Sequence, residues 1–328
     1  MHRHADHEHQ PHPPHDAEPS PPVRTDTGGV TLHADAQAFP QRLGRSKRHL
    51  HLDPFSGIAG DMFLGALLDL HDDPSTELTA IDAALRSLEL DDPFELTLGR
   101  VQRCGVGGLD LKVKTPHHHH HHHHEHASDA GHHHHHHVGY TEIMAMVGKL
   151  EASGALSPSG VDRATRVVTC LANAEARVHG TTREAIHFHE VGAVDSIVDM
   201  LGSVIALERL AIDTVSSGPL PMSRGYVKCD HGLMPVPAPA TTYLLQGVPT
   251  VGVDRTGELV TPTGAALLAG LVDAFVPAPP MTLDGVGYGA GDRDDPLVPN
   301  LLRVFLGTPS KTKPTPMKPA PSSATALV

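Results

Sequence analysis

The chain contains no tryptophan, and aromatic residues make up only 3% of its 328 residues. Its core must therefore be filled by Leu, Val, Ile, Ala and Met, and a hydrophobic content of 39% is enough to do so. Cysteine is almost as scarce. Cys104, Cys170 and Cys229 are odd in number, far apart and without a CxxC pair. That pattern argues against a disulfide scaffold or a zinc knuckle and fits a reducing cytoplasm. Each is expected to be a buried apolar filler. No unbroken apolar run reaches the roughly 18 residues of a membrane span, and the longest apolar helix candidate is interrupted by Asp273. The opening MHRHADHEHQPHPPH holds no apolar stretch of a secretory signal. Basic charge is in deficit, with 25 Lys and Arg against 38 Asp and Glu, a net −13 with histidine neutral. A nucleic-acid partner needs the opposite balance. An acidic surface attracts cations, although many ordinary cytosolic proteins are acidic too. These absences give a cytoplasmic protein with neither nucleic acid nor membrane as partner.

What is abundant is histidine. Of 29 histidines, six lie in the opening segment and fifteen between His117 and His137, in HHHHHHHHEHASDAGHHHHHH. Imidazole suits Ni, Zn and Cu. A run such as His117, His118, His119, His120 or His132, His133, His134 cannot make one fixed geometry, but it can hold several ions weakly and hand them on. Nothing in residues 117–137 can pack, so a mobile loop is expected there.

Residues 1–46, rich in His and Pro, and 308–328, rich in Pro, Lys and Ser, are expected to be disordered. Between them a single core domain, 47–307, alternates strand and helix patterns. Leu50 and Leu52 alternate with polar neighbours as on a half-buried strand ended by Pro54. Ser56 is placed to cap a helix carrying Met62, Phe63, Leu64, Leu67, Leu68 and Leu70. Further helices are expected near 76–90, 140–152, 158–178, 195–210 and 263–275, the last with Pro262 near its first position. A hairpin is expected around CGVGG, short strands with many prolines over 211–262, a Gly-rich stretch over 281–300 and a strand over 300–306. The fold class is α/β or α+β, with mixed layers of helices and short strands.

Three stretches carry chemistry. In HFHEVGAVDSIVD, His187 and His189 share one side of an extended segment, Glu190 follows, and Asp195 and Asp199 share one helix face. Two imidazoles and three carboxylates in 13 residues suit a metal or phosphate–metal site. Asp195 also suits a helix N-terminus by its charge alone. In LDPFSGIAGDM, Asp53, Ser56, Gly57 and Asp61 lie on a strand, Gly turn and helix start, which can present N–H groups to an anion with acids beside it for a cation. It is not a Walker loop. DHGLMPVPAPAT puts His231, a further candidate metal ligand, in a proline-rich loop, and GELVTPTGAALL puts Glu258 and the candidate cofactor-binding residues Thr261 and Thr263 before a helix, where a threonine can equally be the N-cap.

Together HLDPFSGIAGDMFLGALLDL, HFHEVGAVDSIVDMLGSVIALERL, GPLPMSRGYVKCDHGLMPVPAPAT and GELVTPTGAALL closely resemble the nickel-pincer cofactor biosynthesis family, over about residues 48–306. That family often carries an internal histidine block at the same place. The resemblance implies insertion of nickel into pyridinium-3,5-bisthiocarboxylic acid mononucleotide, giving the nickel–carbon, nickel–sulfur pincer used by lactate racemase and related enzymes. It implies use of CTP, hydrolysed to CMP and pyrophosphate, and of Mg²⁺ or Mn²⁺. Longer members continue into a C-terminal domain that resembles a CTP-binding part, so a separately encoded CTP-binding subunit and the cofactor-using apoenzyme are expected partners. On this reading His187, His189 and Glu190 deliver nickel or take the proton, while Asp53, Asp61, Asp195 and Asp199 hold the hard cation. Two other readings stand beside it: a non-catalytic nickel store built on the histidine tracts, and a metal-dependent phosphohydrolase built on the aspartates.

Overall fold

A computed structural model describes residues 38–115, 138–188, 193–229 and 231–310. The expectations for 1–37, the 117–137 loop and the tail from 311 onward lie outside these residues.

In chain order the elements are α1 (Phe39–Leu43), β1 (His49–Asp53), α2 (Gly60–Leu68), α3 (Pro74–Arg86), β2 (Glu95–Arg103), β3 (Val106–Lys114), α4 (Tyr140–Ala152) and α5 (Pro158–His179). A 3₁₀ turn (Arg183–Ala185) precedes α6 (Val194–Arg209), β4 (Thr214–Ser217), β5 (Leu220–Arg224), β6 (Tyr226–Cys229) and β7 (Gly232–Pro235). The rest is α7 (Pro239–Leu244), β8 (Thr250–Thr256), α8 (Pro262–Leu271), β9 (Ala274–Phe275), β10 (Met281–Ala290) and β11 (Leu301–Pro309). Seven strands form one mixed sheet in the order β2-β3-β10-β11-β1-β4-β9, and β5-β8 and β6-β7 make two small sheets. The chain is an α/β protein, as the patterns predict.

Several boundaries differ from expectation, each for a physical reason. Order begins before residue 47, because Phe39 is buried and its ring lies 6.0 Å from that of His49. Ser56 does not cap α2. The N-cap is Ala59, and the Ser56 hydroxyl accepts from Arg255 Nη1 at 2.9 Å. The last helix stops at Leu271, and Asp273 accepts the backbone N–H of Val215 at 2.9 Å to begin the edge strand β9. The stretch DGVGYGAG, expected only to be Gly-rich, is most of β10. Its glycines 285, 287, 289 and 291 recur at period two and so share one face. A Cβ on Gly289 would stand 1.7 Å from the Met62 carbonyl oxygen, and one on Gly287 2.1 Å from that of Ala66. The stripe lets α2 lie backbone-to-backbone on the strand. Cys170 is buried as expected, but Cys104 is exposed in the β2–β3 turn and Cys229 is half-buried.

β1 is covered on both faces rather than half-buried. Leu50 and Leu52 join Phe63, Leu64, Leu67, Ile197 and Leu201 in the core. On the other face, His49 and His51 are 0% and 3% exposed. The Ser216 hydroxyl lies 2.8 Å from both His49 Nε2 and His51 Nδ1, and Thr214 Oγ1 lies 2.8 Å from His49 Nδ1. Thr214 donates to Ser46, which donates to the Arg48 carbonyl. The direction of that chain leaves Thr214 Oγ1 to accept from His49 Nδ1, so that nitrogen carries a proton.

Burial holds both rings down to a pKa of about 4, helped at His49 by the neighbouring His51. The unfolded chain binds these protons near pH 6.5 and the folded chain only near 4. Their stabilising contribution is therefore complete above pH 6.5 and is lost as pH falls from there toward 4, by about 2–3 kcal/mol per ring at most. Denaturant melts at pH 7 and 4.5 should show that fall, and His49→Gln with His51→Gln should flatten it. An equally steep fall in the double variant would contradict the assignment.

Candidate functional site

Three helices begin at one cavity of about 640 Å³. Ala59 and Asp61 at the start of α2, Asp195 and Ser196 at the start of α6, and Thr261, Pro262 and Thr263 at the start of α8 all line it. Each start uses its own side chain to satisfy a free N–H. Asp61 Oδ1 accepts from Met62 N at 2.7 Å, Asp195 Oδ1 from Ser196 N at 2.7 Å, and Thr261 Oγ1 from Gly264 N at 3.1 Å. The remaining N–H groups and the three dipoles give the cavity a positive backbone potential.

Both signs of charge line the cavity: Asp61, Asp195, Asp199, Glu258 and Asp292 with Lys228 and Arg293, and Cys229 and Met62 add soft sulfur groups. Asp199 lies one turn into α6 and is 9% exposed, and its Oδ1 has no hydrogen-bond partner among the described residues. It fits there because residue 60 is glycine: a Cβ would stand 2.4 Å from Asp199 Oδ2. Burial, then the nearby Asp61 and Asp195, raises the Asp199 pKa well above the usual carboxylate range. Burial also pushes Asp61 up to about 6, with Asp110 adding to the rise and the Met62 N–H and Lys112 opposing it. Lys112 pairs with Asp110 at 2.8 Å and also with Asp292 on the cavity wall.

Of the residues singled out in the sequence, Asp61, Asp195, Asp199, Thr261 and Thr263 come together here. Asp53, Ser56 and Gly57 do not. The Asp53 carboxylate is taken by Arg303, whose Nε lies 2.9 Å from Oδ2. Gly57 has φ 108°, and a Cβ on it would stand 1.9 Å from the Leu259 carbonyl oxygen. Its role is the crossing of two chain segments, where Ile58 N donates to Leu259 O and Thr261 N donates to Ile58 O. His187 bridges to Gly139. His231 is exposed, its ring 4.9 Å from that of His179. His189, Glu190 and the histidines 117–120 and 132–134 lie outside the described residues. Among the described residues no group of three or more His, Cys, Asp or Glu is placed to hold a metal ion. Sequence reasoning missed Lys228 and Arg293. Single basic residues in the strand YVKC and the loop GDRDD carry no local pattern, and only the tertiary fold brings them to the helix starts.

The α/β scaffold thus brings three helix starts, carboxylates, basic side chains and sulfur groups to one cavity. The chain belongs to the nickel insertion protein family, which it matches over residues 50–319. A protein of Desulfotalea psychrophila named for nickel insertion is 42% identical over 263 residues, covering 80% of this chain and 61% of the relative. The pyridinium-3,5-bisthiocarboxylic acid mononucleotide nickel insertion proteins of Geobacillus kaustophilus and Desulfitobacterium hafniense are 42% and 43% identical. They match over 79% and 78% of this chain and 59% and 58% of their own lengths. The chain thus spans about 60% of the length of the curated relatives it matches. No solved structure matches it. Among the described residues no helix is long and apolar enough to cross a membrane.

Proposed function

We propose that this chain takes part in inserting nickel into pyridinium-3,5-bisthiocarboxylic acid mononucleotide, and that the α2–α6–α8 cavity is where that ligand reacts. The observation that carries the reading is a buried carboxylate, Asp199, with an oxygen that has no partner among the described residues, in a cavity rimmed by helix N-termini, in a member of this family. The ligand's two ends call for the two signs of charge in the cavity. Its phosphate suits the helix starts with Lys228 and Arg293. Its cationic ring suits the carboxylates, where opposite charges attract strongly away from bulk water.

Forming a nickel–carbon bond removes a proton from the ring, so a base must stand near that carbon. Asp199 is suited to receive it, with His187, His189 and Glu190 delivering nickel or sharing the proton. Nickel is the substrate ion here. The histidine tracts act as its reservoir, so deleting 117–137 lowers nickel capacity and spares insertion when nickel is plentiful. The pincer product would serve an apoenzyme of the lactate racemase type.

CTP and Mg²⁺ or Mn²⁺ belong to the same reading. Carboxylate oxygens are the right donors for a hard cation. With no three-ligand set among the described residues, Asp61 and Asp195 would supply one or two ligands, and phosphate oxygens and water the rest. The bound cation would neutralise phosphate charge.

The test is to mix the purified protein, Ni²⁺, CTP and the dithio mononucleotide, with and without the C-terminal part of a longer relative. Nickel-bearing pincer should form in the two-part mixture. No product in either mixture would overturn the proposal. Retained nickel without product would favour a store, and phosphate released from nucleotides without nickel would favour a phosphohydrolase.

A further inference from the structure

The strand β2, ELTLGRVQR, is nine residues long and forms one edge of the seven-stranded sheet. The opposite edge, β9, has two residues. A long free edge offers a row of N–H and C=O groups to another strand, and folds usually blunt it with proline, a bulge or a covering segment. β2 contains no proline, and its pairing with β3 runs unbroken from Glu95 opposite Lys114 to Arg103 opposite Val106. Among the described residues no backbone group pairs with its outer side.

Which groups face outward follows from the turn. Cys104 and Gly105, at φ 48° and 78°, make a two-residue turn, so the flanking Arg103 and Val106 exchange both hydrogen bonds. Bonded pairs then alternate along the ladder. Glu95, Thr97, Gly99, Val101 and Arg103 turn their backbone groups toward β3, and Leu96, Leu98, Arg100 and Gln102 point theirs away from it. The long side chains leave that edge clear. Arg100 Nη2 reaches back to Asp69 Oδ1 at 2.7 Å, and Arg103 Nε donates to the Gly291 carbonyl at 3.0 Å.

The sequence of β2 is complementary to itself. Laid antiparallel on a second copy about a two-fold axis at Gly99, Leu98 meets Arg100 and Leu96 meets Gln102. All four residues face outward, so these pairs give about eight hydrogen bonds across the axis. In the same register Glu95 of each copy meets Arg103 of the other. Lys114 lies opposite Glu95 within the chain, so charge alternates in sign along a row that crosses the joined strands. Moving the axis to Arg100 sets that arginine against its own copy, and moving it to Leu98 leaves Glu95 opposite Val101. The Gly99 register is the one that pairs all nine residues of the strand.

We propose that two copies of this chain join edge to edge through β2, antiparallel about Gly99, so that the sheet continues across the axis. The same patch serves both copies, as a closed two-fold dimer requires. The proposal is independent of the chemistry in the cavity.

Sedimentation equilibrium of the full chain is run in EDTA, which keeps the histidine tracts from bridging copies through metal. The mass should rise with concentration to twice the 34.8 kDa of one chain. Glu95→Arg and Arg103→Glu each set like charges against one another at both ends of the interface, and each should weaken association at least about tenfold. Glu95→Arg combined with Arg103→Glu restores opposite charges and should return the dissociation constant to within about threefold of the wild type. Hydrogen exchange of the unmodified chain gives a reading that no variant's folding can disturb. Peptides covering residues 95–103 should exchange more slowly as the concentration is raised through the dissociation constant. A monomer at every concentration, association unmoved by the single reversals, or a double reversal no tighter than the singles would overturn the proposal. So would protection of 95–103 that does not change with concentration, since another segment of the same chain would then cover the edge.

Discussion

Asp199→Asn is expected to lower the rate of nickel insertion at least about a hundredfold, the usual scale for losing a positioned base, while leaving the melting temperature unchanged or higher. The two halves of that result have one cause. Among the described residues Asp199 Oδ1 has no partner, and burial beside Asp61 and Asp195 disfavours the charge on that carboxylate, a cost that the neutral amide does not carry. Asparagine keeps the size and the packing beside Gly60 but removes the charge and the basic oxygen. A side chain retained at a cost in stability is one that works on something outside the fold. Insertion kinetics and a thermal melt on the same preparation check both halves. Wild-type activity would remove Asp199 from the reaction. Equal losses of stability and activity would make it a structural residue.

Gly289→Ala is expected to destabilise the protein by about 3 kcal/mol or more, or to prevent folding, because overpacking against backbone cannot relax by a change of rotamer. The added methyl would stand 1.7 Å from the Met62 carbonyl oxygen and 2.7 Å from the Ala66 nitrogen. Relieving that clash lifts α2 off β10 and carries Asp61 away from the cavity. Gly99→Ala is the control, since a Cβ there meets nothing within 4 Å. It lies in a strand of the same sheet and should cost less than about 1 kcal/mol. Denaturant midpoints of the two variants make the comparison, and equal midpoints would contradict the packing argument.

These two residues also mark how far the sequence could be read. Asp195 and Asp199 are four apart in the first turns of an apolar helix, so their shared face was legible from spacing, and the structure puts both on the cavity. Thr261 before Pro262 announced a helix start. The helix patterns at 140–152, 158–178 and 195–210 match α4, α5 and α6 within a residue or two. Local periodicity with clear caps is the signal least dependent on tertiary context. β10 was not legible, because alternating glycines look like a flexible loop until a helix is known to lie against them. The destination of Asp53 was equally hidden. Its partner Arg303 is 250 residues away, and no local pattern joins them. The buried faces of His49 and His51 depended on β4, 165 residues on, so an alternation that suggested one wet face described a strand with none. Lys228 and Arg293 reach the cavity by the same kind of long-range placement.

The proposed reaction needs the α2–α6–α8 cavity to hold the mononucleotide. Equilibrium dialysis of pyridinium-3,5-bisthiocarboxylic acid mononucleotide against the wild-type chain and against Lys228→Glu with Arg293→Glu tests this directly. One saturable site in the wild type, weakened at least about tenfold by the charge reversal, is the predicted result. Saturable binding that the double reversal leaves unchanged, or no saturable binding to the wild type, would contradict it.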